Sequence, residues 1–276
     1  HLFIGAEGTL GIITAVVLKL HPLPRSSATA LVAISTPDAA VQVLRQLRAA
    51  FGDRLTGYEV MARICLDMVV RHVPGTADPL PGHRWYALVQ LDDSAAAARL
   101  EDALVEALGV MQEQGLVADA TIAQSAREAG ALWAVRENVS EAQRPEGYSI
   151  KHDISLPVSS IPEFLVRAEA ALTAGIPGVR IVAFGHFGDG NVHYNLSEPI
   201  ENAAAAAAFP AAAAMANRIV HDLVHGYSGS ISAEHGIGQL KREEIRRYKS
   251  GLELDLMRRI KSTLDPQDIM NPGKVL

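Results

Sequence analysis

Two successive stretches of this 276-residue chain repeat one order of elements, and that repeat constrains the fold more than any single motif. The first reads strand over 28–35, helix over 37–51, strand over 56–61, a Pro- and Gly-bearing loop over 74–82, strand over 84–91, helix over 94–114 and strand over 118–122. The second reads strand over 149–155, helix over 161–174, strands over 179–185 and 191–196, helix from about 206 to 226 and strand over 229–232. Each is β-α-β-β-α-β, the split βαβ or ferredoxin-like pattern. Two such halves joined edge to edge predict an α+β fold, with one mostly antiparallel sheet and helices over one face. A linking helix over 125–141, carrying Trp133 and Arg136, connects the halves. In the last long helix the alanine-rich start has strong helix propensity, and Pro210 must sit in a first turn or at a kink. Upstream, His21-Pro22-Leu23-Pro24 is a stiff extended connector. Downstream, 240–264 reads as one charged amphipathic helix with a solvated face, which Asn271-Pro-Gly273 breaks.

The second half contains Phe184-Gly-His-Phe-Gly-Asp-Gly-Asn-Val-His-Tyr-Asn195. Asp-Gly between two β-prone runs signals a hairpin with a two-residue turn, because that turn needs φ > 0 at both central positions. With Asp189 and Gly190 in the turn, His186 stands directly opposite His193, and Phe184 and Asn195 fall on the same face. Opposed Cβ atoms are roughly 4.5–5.5 Å apart. Two imidazoles at that separation can converge on one cation, although an isolated pair equally suits two half-buried histidines capping a hairpin. A second stretch, Ser228-Gly-Ser-Ile-Ser-Ala-Glu-His-Gly-Ile-Gly238, adds a carboxylate. There a short strand over 230–233 delivers Glu234 and His235 into a turn framed by Gly236 and Gly238, where backbone can approach a ligand. Two His and one Glu leave coordination positions open, as a catalytic metal site requires. His235 then serves as a base.

The motif G-H-x-G-D-G-N-x-H-x-N, followed about forty residues on by E-H-G-I-G, resembles the C-terminal domain of FAD-linked oxidases. These belong to the vanillyl-alcohol oxidase/p-cresol methylhydroxylase superfamily, in the branch of D-lactate dehydrogenase, the glycolate oxidase FAD subunit and D-2-hydroxyglutarate dehydrogenase. Gly5-Ala-Glu-Gly-Thr-Leu-Gly-Ile-Ile-Thr14, Leu132-Trp-Ala-Val-Arg-Glu137 and Asn271-Pro-Gly-Lys-Val275 extend the likeness from one end of the chain to the other. The resemblance implies oxidation of a small D-2-hydroxy acid by hydride transfer to FAD. It implies a divalent metal, Zn or Mn, on His186, His193 and Glu234, and His235 as the catalytic base. Arg136, Ser140, Lys151 and Asn195 fall on substrate-binding positions, and Gly8, Thr9, Gly11, Ile12 and Asn271 on edges of the FAD cradle. Residues 1–24 then close an FAD-binding domain lying mostly upstream, 25–264 form the substrate domain, and 265–276 return toward the flavin. A piece without the upstream part is expected to carry no stoichiometric FAD.

Arg136 offers a planar fork for a carboxylate. Ser140, four residues on, shares its helix face. Lys151 shares a strand face with Ser149 and Asp153.

Composition narrows the alternatives. A net charge of −6 without a basic stripe argues against nucleic acid as a partner. The single cysteine, Cys65, excludes a disulfide framework or a cysteine metal site and reads as core. No run approaches the roughly 18 apolar residues of a membrane span, so the expected location is cytoplasmic or peripheral to a membrane, with a homodimer as the assembly considered and the electron acceptor undefined. His72, His83 and His152 read as structural or surface residues, and the His221/His225 pair, one turn apart, lacks a strand-end carboxylate partner. Two other functions fit parts of the pattern: a metal-dependent hydrolase built on His186, His193 and Glu234, and a module that docks an electron acceptor.

Overall fold

A computed structural model describes residues 1–96 and 99–276, so part of the helix expected over 94–114 lies outside the described residues. The chain divides into two compact units, one spanning Pro22–Gly229 and the other joining His1–His21 to Ser230–Leu276.

The larger unit begins β1 (Ser26–Ile34), α1 (Pro37–Phe51), β2 (Leu55–Ala62), α2 (Arg63–His72), β3 (Trp85–Asp93), α3 (Leu100–Glu113) and β4 (Val117–Ile122). The helix boundaries follow local chemistry. Thr36 caps α1 by accepting from the Ala39 N–H, Pro37 follows as the first helical residue, and Gly52 ends it at φ +56. Two helices, α4 (Ala126–Glu137) and α5 (Val139–Gln143), then join the halves. The second half runs β5 (Ser149–Ile150), β6 (Asp153–Ser155), α6 (Ile161–Gly175), β7 (Arg180–His186), β8 (Asn191–Ser197), α7 (Ala203–Ala208) and α8 (Ala213–Gly226).

The strand order is β4-β1-β3-β2-β7-β8-β5, with β6 also on β8, and every described pairing is antiparallel. The two halves join through β2 and β7, where Glu59 pairs with His186, Val60 with Gly185 and Met61 with Phe184. The expected mixed α+β fold with one antiparallel sheet is therefore what forms, but helices cover both faces of it and not one. On one face Leu31, Met61, Tyr86, Leu88, Val182 and Phe184 pack against Leu66 and Val69 of α2, Leu132 and Val135 of α4 and Val139 of α5. Against the other lie α1, α3 and α6; the buried Tyr58 hydroxyl, for instance, donates to the Ala40 carbonyl at 2.6 Å. Fully buried apolar side chains of this size stabilise by roughly 1.5–3 kcal/mol each. Cys65 is buried in this core, as expected, and burial pushes its thiol up to about 12.

Several elements differ from expectation. The strand expected over 229–232 is reduced among the described residues to a single bridge at Ser230. The long helix from about 206 splits at Phe209–Ala212, a tight 3₁₀ turn holding Pro210, whose missing N–H cannot continue an α-helix. Finally, Ala203–Gly226 is, by length and composition alone, long and apolar enough to cross a membrane, contrary to the sequence reading. Within the unit it is broken at that turn, and Val220 and Val224 are fully buried where α8 packs on α6.

In the smaller unit, the single helix expected over 240–264 is two, α9 (Arg242–Tyr248) and α10 (Gly251–Leu264). Ser250 divides them through a capping box, its side chain accepting from the Glu253 N–H while Glu253 accepts from the Ser250 N–H. Ile12, Ile13, Val16, Val17, Leu18 and Leu20 are all exposed.

Candidate functional site

The β7–β8 hairpin places the two motif histidines, though not in the expected register. Phe184, and not His186, stands opposite His193, and the connection is the four residues 187–190. Asp189 keeps φ below zero, so the two-residue turn does not form. Its carboxylate instead accepts the Asn191 N–H at 3.1 Å, a local Asx turn. Gly190, at φ +89, is pinned by its carbonyl accepting from the Leu156 N–H, and a Cβ there would lie 2.1 Å from the Leu156 oxygen. The register slips by two, so side-chain parity survives. His186 and His193 share a face as diagonal neighbours, their ring centroids 6.1 Å apart.

A row of charged and aromatic groups surrounds them. Glu59 of β2 lies across from His186; its Oε1 is 2.5 Å from His186 Nδ1, and its Oε2 accepts from Arg136 Nε at 2.9 Å. Burial pushes the Glu59 carboxyl up, but the His186 hydrogen bond and the Arg136 charge outweigh it and hold it below the ordinary value. The Arg136 guanidinium lies over the Phe184 ring at 4.9 Å, and that ring packs on His193 at 4.8 Å between centroids. Asp153 of β6 faces His193, with Oδ1 3.6 Å from Nδ1. His186 thus has a carboxylate at its Nδ1, the arrangement that orients metal-binding imidazoles and leaves Nε2 as the atom a cation takes, while Asp153 Oδ1 lies beyond hydrogen-bond distance of His193 Nδ1. The donor set suits a divalent ion.

The other expected substrate residues are placed less uniformly. The helix through Arg136 ends at Glu137, Asn138 takes φ −85 and ψ 0, and a new short helix begins at Val139. Arg136 and Ser140 therefore do not share one helix face; Arg136 is mostly buried and Ser140 exposed. Lys151 is exposed at a break between β5 and β6, where the His152 N–H donates to Asn195 Oδ1 at 3.2 Å. The pairings on either side, Ser149 with Ser197 and Asp153 with His193, keep one register across that break. Asn195 is buried, and its Nδ2 donates to Gln143 Oε1 at 3.0 Å. His152, read as structural, is buried between the Tyr194 carbonyl and Asn217.

Glu234 and His235 belong to the smaller unit, exposed in an irregular turn. That turn is held from the start of the chain. Glu7 accepts the Ile237 N–H at 2.6 Å and the Gly238 N–H at 2.7 Å, while the Val275 N–H donates to the Gly238 carbonyl. Asn271 donates to the Glu7 carbonyl at 2.6 Å, and a Cβ on Gly8, at φ +72, would lie 3.9 Å from Asn271. Gly8 and Asn271 are thus brought together. Thr9 is turned inward, its hydroxyl donating to the Ala6 carbonyl, and Lys261 Nζ donates to the Thr9 carbonyl. Gly11 lies by the Phe3 ring, and Ile12 is 78% exposed, an apolar surface of the kind that lies against a cofactor or a further protein layer. A glycine held at positive φ beside an exposed isoleucine suits the edge of a flavin site. Glu59 and Glu7 are the two residues the sequence reading missed. Each acts through a partner more than a hundred positions away, so no local pattern marks it.

Residues 23–275 match the family model described as FAD linked oxidases, C-terminal domain. The chain belongs to that family. Its relatives include D-2-hydroxyglutarate dehydrogenase of Xanthomonas citri pv. viticola, 37% identical over the whole chain and 57% of the relative. The mitochondrial D-2-hydroxyglutarate dehydrogenase of Bos taurus is 36% identical, over 100% of this chain and 49% of that protein. This FAD-linked oxidase chain therefore spans about half of the length of such relatives. Among solved structures it shares its fold with p-cresol methylhydroxylase with substrate bound, at a TM-score of 0.61 and 12% identity over 92% of this chain and 53% of that one. It also shares it with alkyldihydroxyacetonephosphate synthase, at 0.58 and 18% over 97% and 48%.

Proposed function

We propose that this chain is the substrate- and metal-binding part of an FAD-dependent dehydrogenase that oxidises a D-2-hydroxy acid, of the lactate, glycolate or 2-hydroxyglutarate type, to the 2-oxo acid. The observation that carries this reading is 37% identity along the whole chain to a D-2-hydroxyglutarate dehydrogenase. The site geometry supports it, because His186 and His193 share a face, and the Glu59 carboxylate at His186 Nδ1 also holds Arg136.

Such an oxidation needs the substrate carboxylate anchored, the hydroxyl polarised, its proton removed and a hydride accepted. FAD, when bound, supplies the hydride acceptor, and a divalent cation, Zn or Mn, supplies Lewis acidity. Arg136 anchors the carboxylate with its terminal nitrogens, aided by Ser140 and Lys151, and Asn195 lines the substrate side of β8. His186, His193 and Glu234 hold the cation. His235 takes the hydroxyl proton on a ring nitrogen, a task suited to imidazole near neutral pH. Gly8, Thr9, Gly11, Ile12 and Asn271 form the edge presented to FAD, so residues 1–24 and 265–276 belong to the flavin side and 25–264 to the substrate side.

Anaerobic addition of D-2-hydroxyglutarate, D-lactate and glycolate to the flavin-loaded protein tests this. Loss of visible flavin absorbance with at least one D-2-hydroxy acid is expected. Metal-dependent ester or amide hydrolysis with no flavin reduction would establish the hydrolase reading, which has no support among the relatives named here.

A further inference from the structure

Glu59 is a carboxylate of the larger unit that touches both a residue assigned to the metal and the residue assigned to the substrate carboxylate. Its two oxygens divide the work. Oε1 meets His186 Nδ1, and Oε2 accepts from Arg136 Nε. The side chain is 8% exposed and sits on β2, across the join between the halves, so its position is set by the sheet and not by a mobile loop.

Resting on the metal reading above, we propose that Glu59 is a positioning residue that sets both groups at once. It holds His186 as the Nδ1–H tautomer, which presents Nε2 as the ligand atom, and it fixes the Arg136 guanidinium by its inner nitrogen. The chemistry of each partner supports this. A neutral imidazole carries one N–H, so a carboxylate at Nδ1 decides which nitrogen keeps a lone pair. Guanidinium has five N–H donors, and a carboxylate at Nε leaves the terminal nitrogens as the fork for a second carboxylate. Phe184 completes the clamp, with Arg136 over its ring and His193 packed on it. Metal geometry and substrate anchoring are therefore coupled through one side chain on a strand that carries none of the family's sequence motif.

The test compares Zn²⁺ and Mn²⁺ affinity, by competition with a chelator, in the wild-type protein, Glu59→Gln, His193→Ala and the double variant Glu59→Gln/Arg136→Met. The double variant removes the buried cation that Glu59→Gln would strand, so a folded protein is measured. Loss of Glu59 should weaken metal binding about 10- to 100-fold, the usual effect of removing a ligand's outer partner. It should also shift the His186 ring from Nδ1–H toward Nε2–H in ¹⁵N spectra, a readout that mere loss of packing would not move. Wild-type affinity with His186 still Nδ1–H in both Glu59 variants would overturn the role of Glu59, provided His193→Ala loses the metal. Full metal affinity in His193→Ala would instead overturn the metal reading and this inference with it.

Discussion

The Glu7 carboxylate accepts the backbone N–H of Gly238 across 231 positions of sequence, and the neighbouring Ile237 N–H with its other oxygen. Two backbone donors on one carboxylate form a rigid clamp at the end of the Glu234–His235 turn. Hydrogen bonds to a charged group contribute about 1.5–3 kcal/mol each. Glu7→Gln should lower the unfolding free energy of the smaller unit and slow flavin reduction. Gly236→Ala should cost more, because its φ is +78 and a Cβ there would lie 2.6 Å from Glu7 Cδ. Urea titration of both variants checks the order.

Arg136 is expected to matter for stability as well as for substrate. Its side chain is 11% exposed and its partner Glu59 8%. Arg136→Ala should destabilise by about 3–5 kcal/mol, the usual effect of leaving one member of a buried pair alone. It should also raise KM more than it lowers kcat. Arg136→Lys should recover part of the stability and little of the substrate affinity, since ammonium lacks the planar fork. Equilibrium unfolding and steady-state kinetics of the two variants separate the effects.

How much of this was legible in the sequence depends on the range of the contact. The order of strands and helices along the two halves, apart from α2 and the last strand of the second, and the antiparallel sheet followed from local apolar runs, and the likeness to FAD-linked oxidases from motifs spread along the chain. Side-chain parity at His186 and His193 was also legible, because a slip of two residues keeps both on one face. The turn itself was not. Asp189-Gly190 has the composition of a two-residue turn, but the Leu156–Gly190 backbone pairing selects a four-residue connection. The break at Asn138 separated Ser140 from Arg136, and helix periodicity alone carries no sign of it. Glu59 reaches His186 across 127 positions, beyond any local rule.

The acid limb of stability should report Glu146. Burial pushes its carboxyl up, but hydrogen bonds from His72 and Arg180, the Arg180 charge and a hydrogen bond from Arg71 outweigh it and hold it down to about 2 from an ordinary 4.5. A carboxyl depressed by folding stabilises fully above its ordinary value, and that stability disappears as pH falls through the folded value. Stability should therefore drop between about pH 4.5 and 2. Glu146→Gln should be less stable at neutral pH and show a flatter slope over that interval in pH-dependent urea unfolding.

His235 and the two motif histidines should separate in mutation. His186→Ala or His193→Ala should abolish metal binding and with it most of the activity. His235→Ala should keep the metal and lose roughly 10²–10⁴-fold in rate, the usual scale of a general base. Metal analysis by elemental quantification beside flavin-reduction rates distinguishes the two classes, and loss of metal from His235→Ala would contradict the assignment of roles.

The seam between the two halves of the sheet is only three residue pairs long, yet Glu59 comes from one side of it and His186 from the other. Neither half of the sheet by itself holds both Glu59 and His186. Cut between α5 and β5, the chain would yield one polypeptide with Arg136 and Glu59 and another with His186 and His193. Re-association of the two pieces would then depend on re-forming that short zipper, so the contact of Glu59 with His186 would report their assembly.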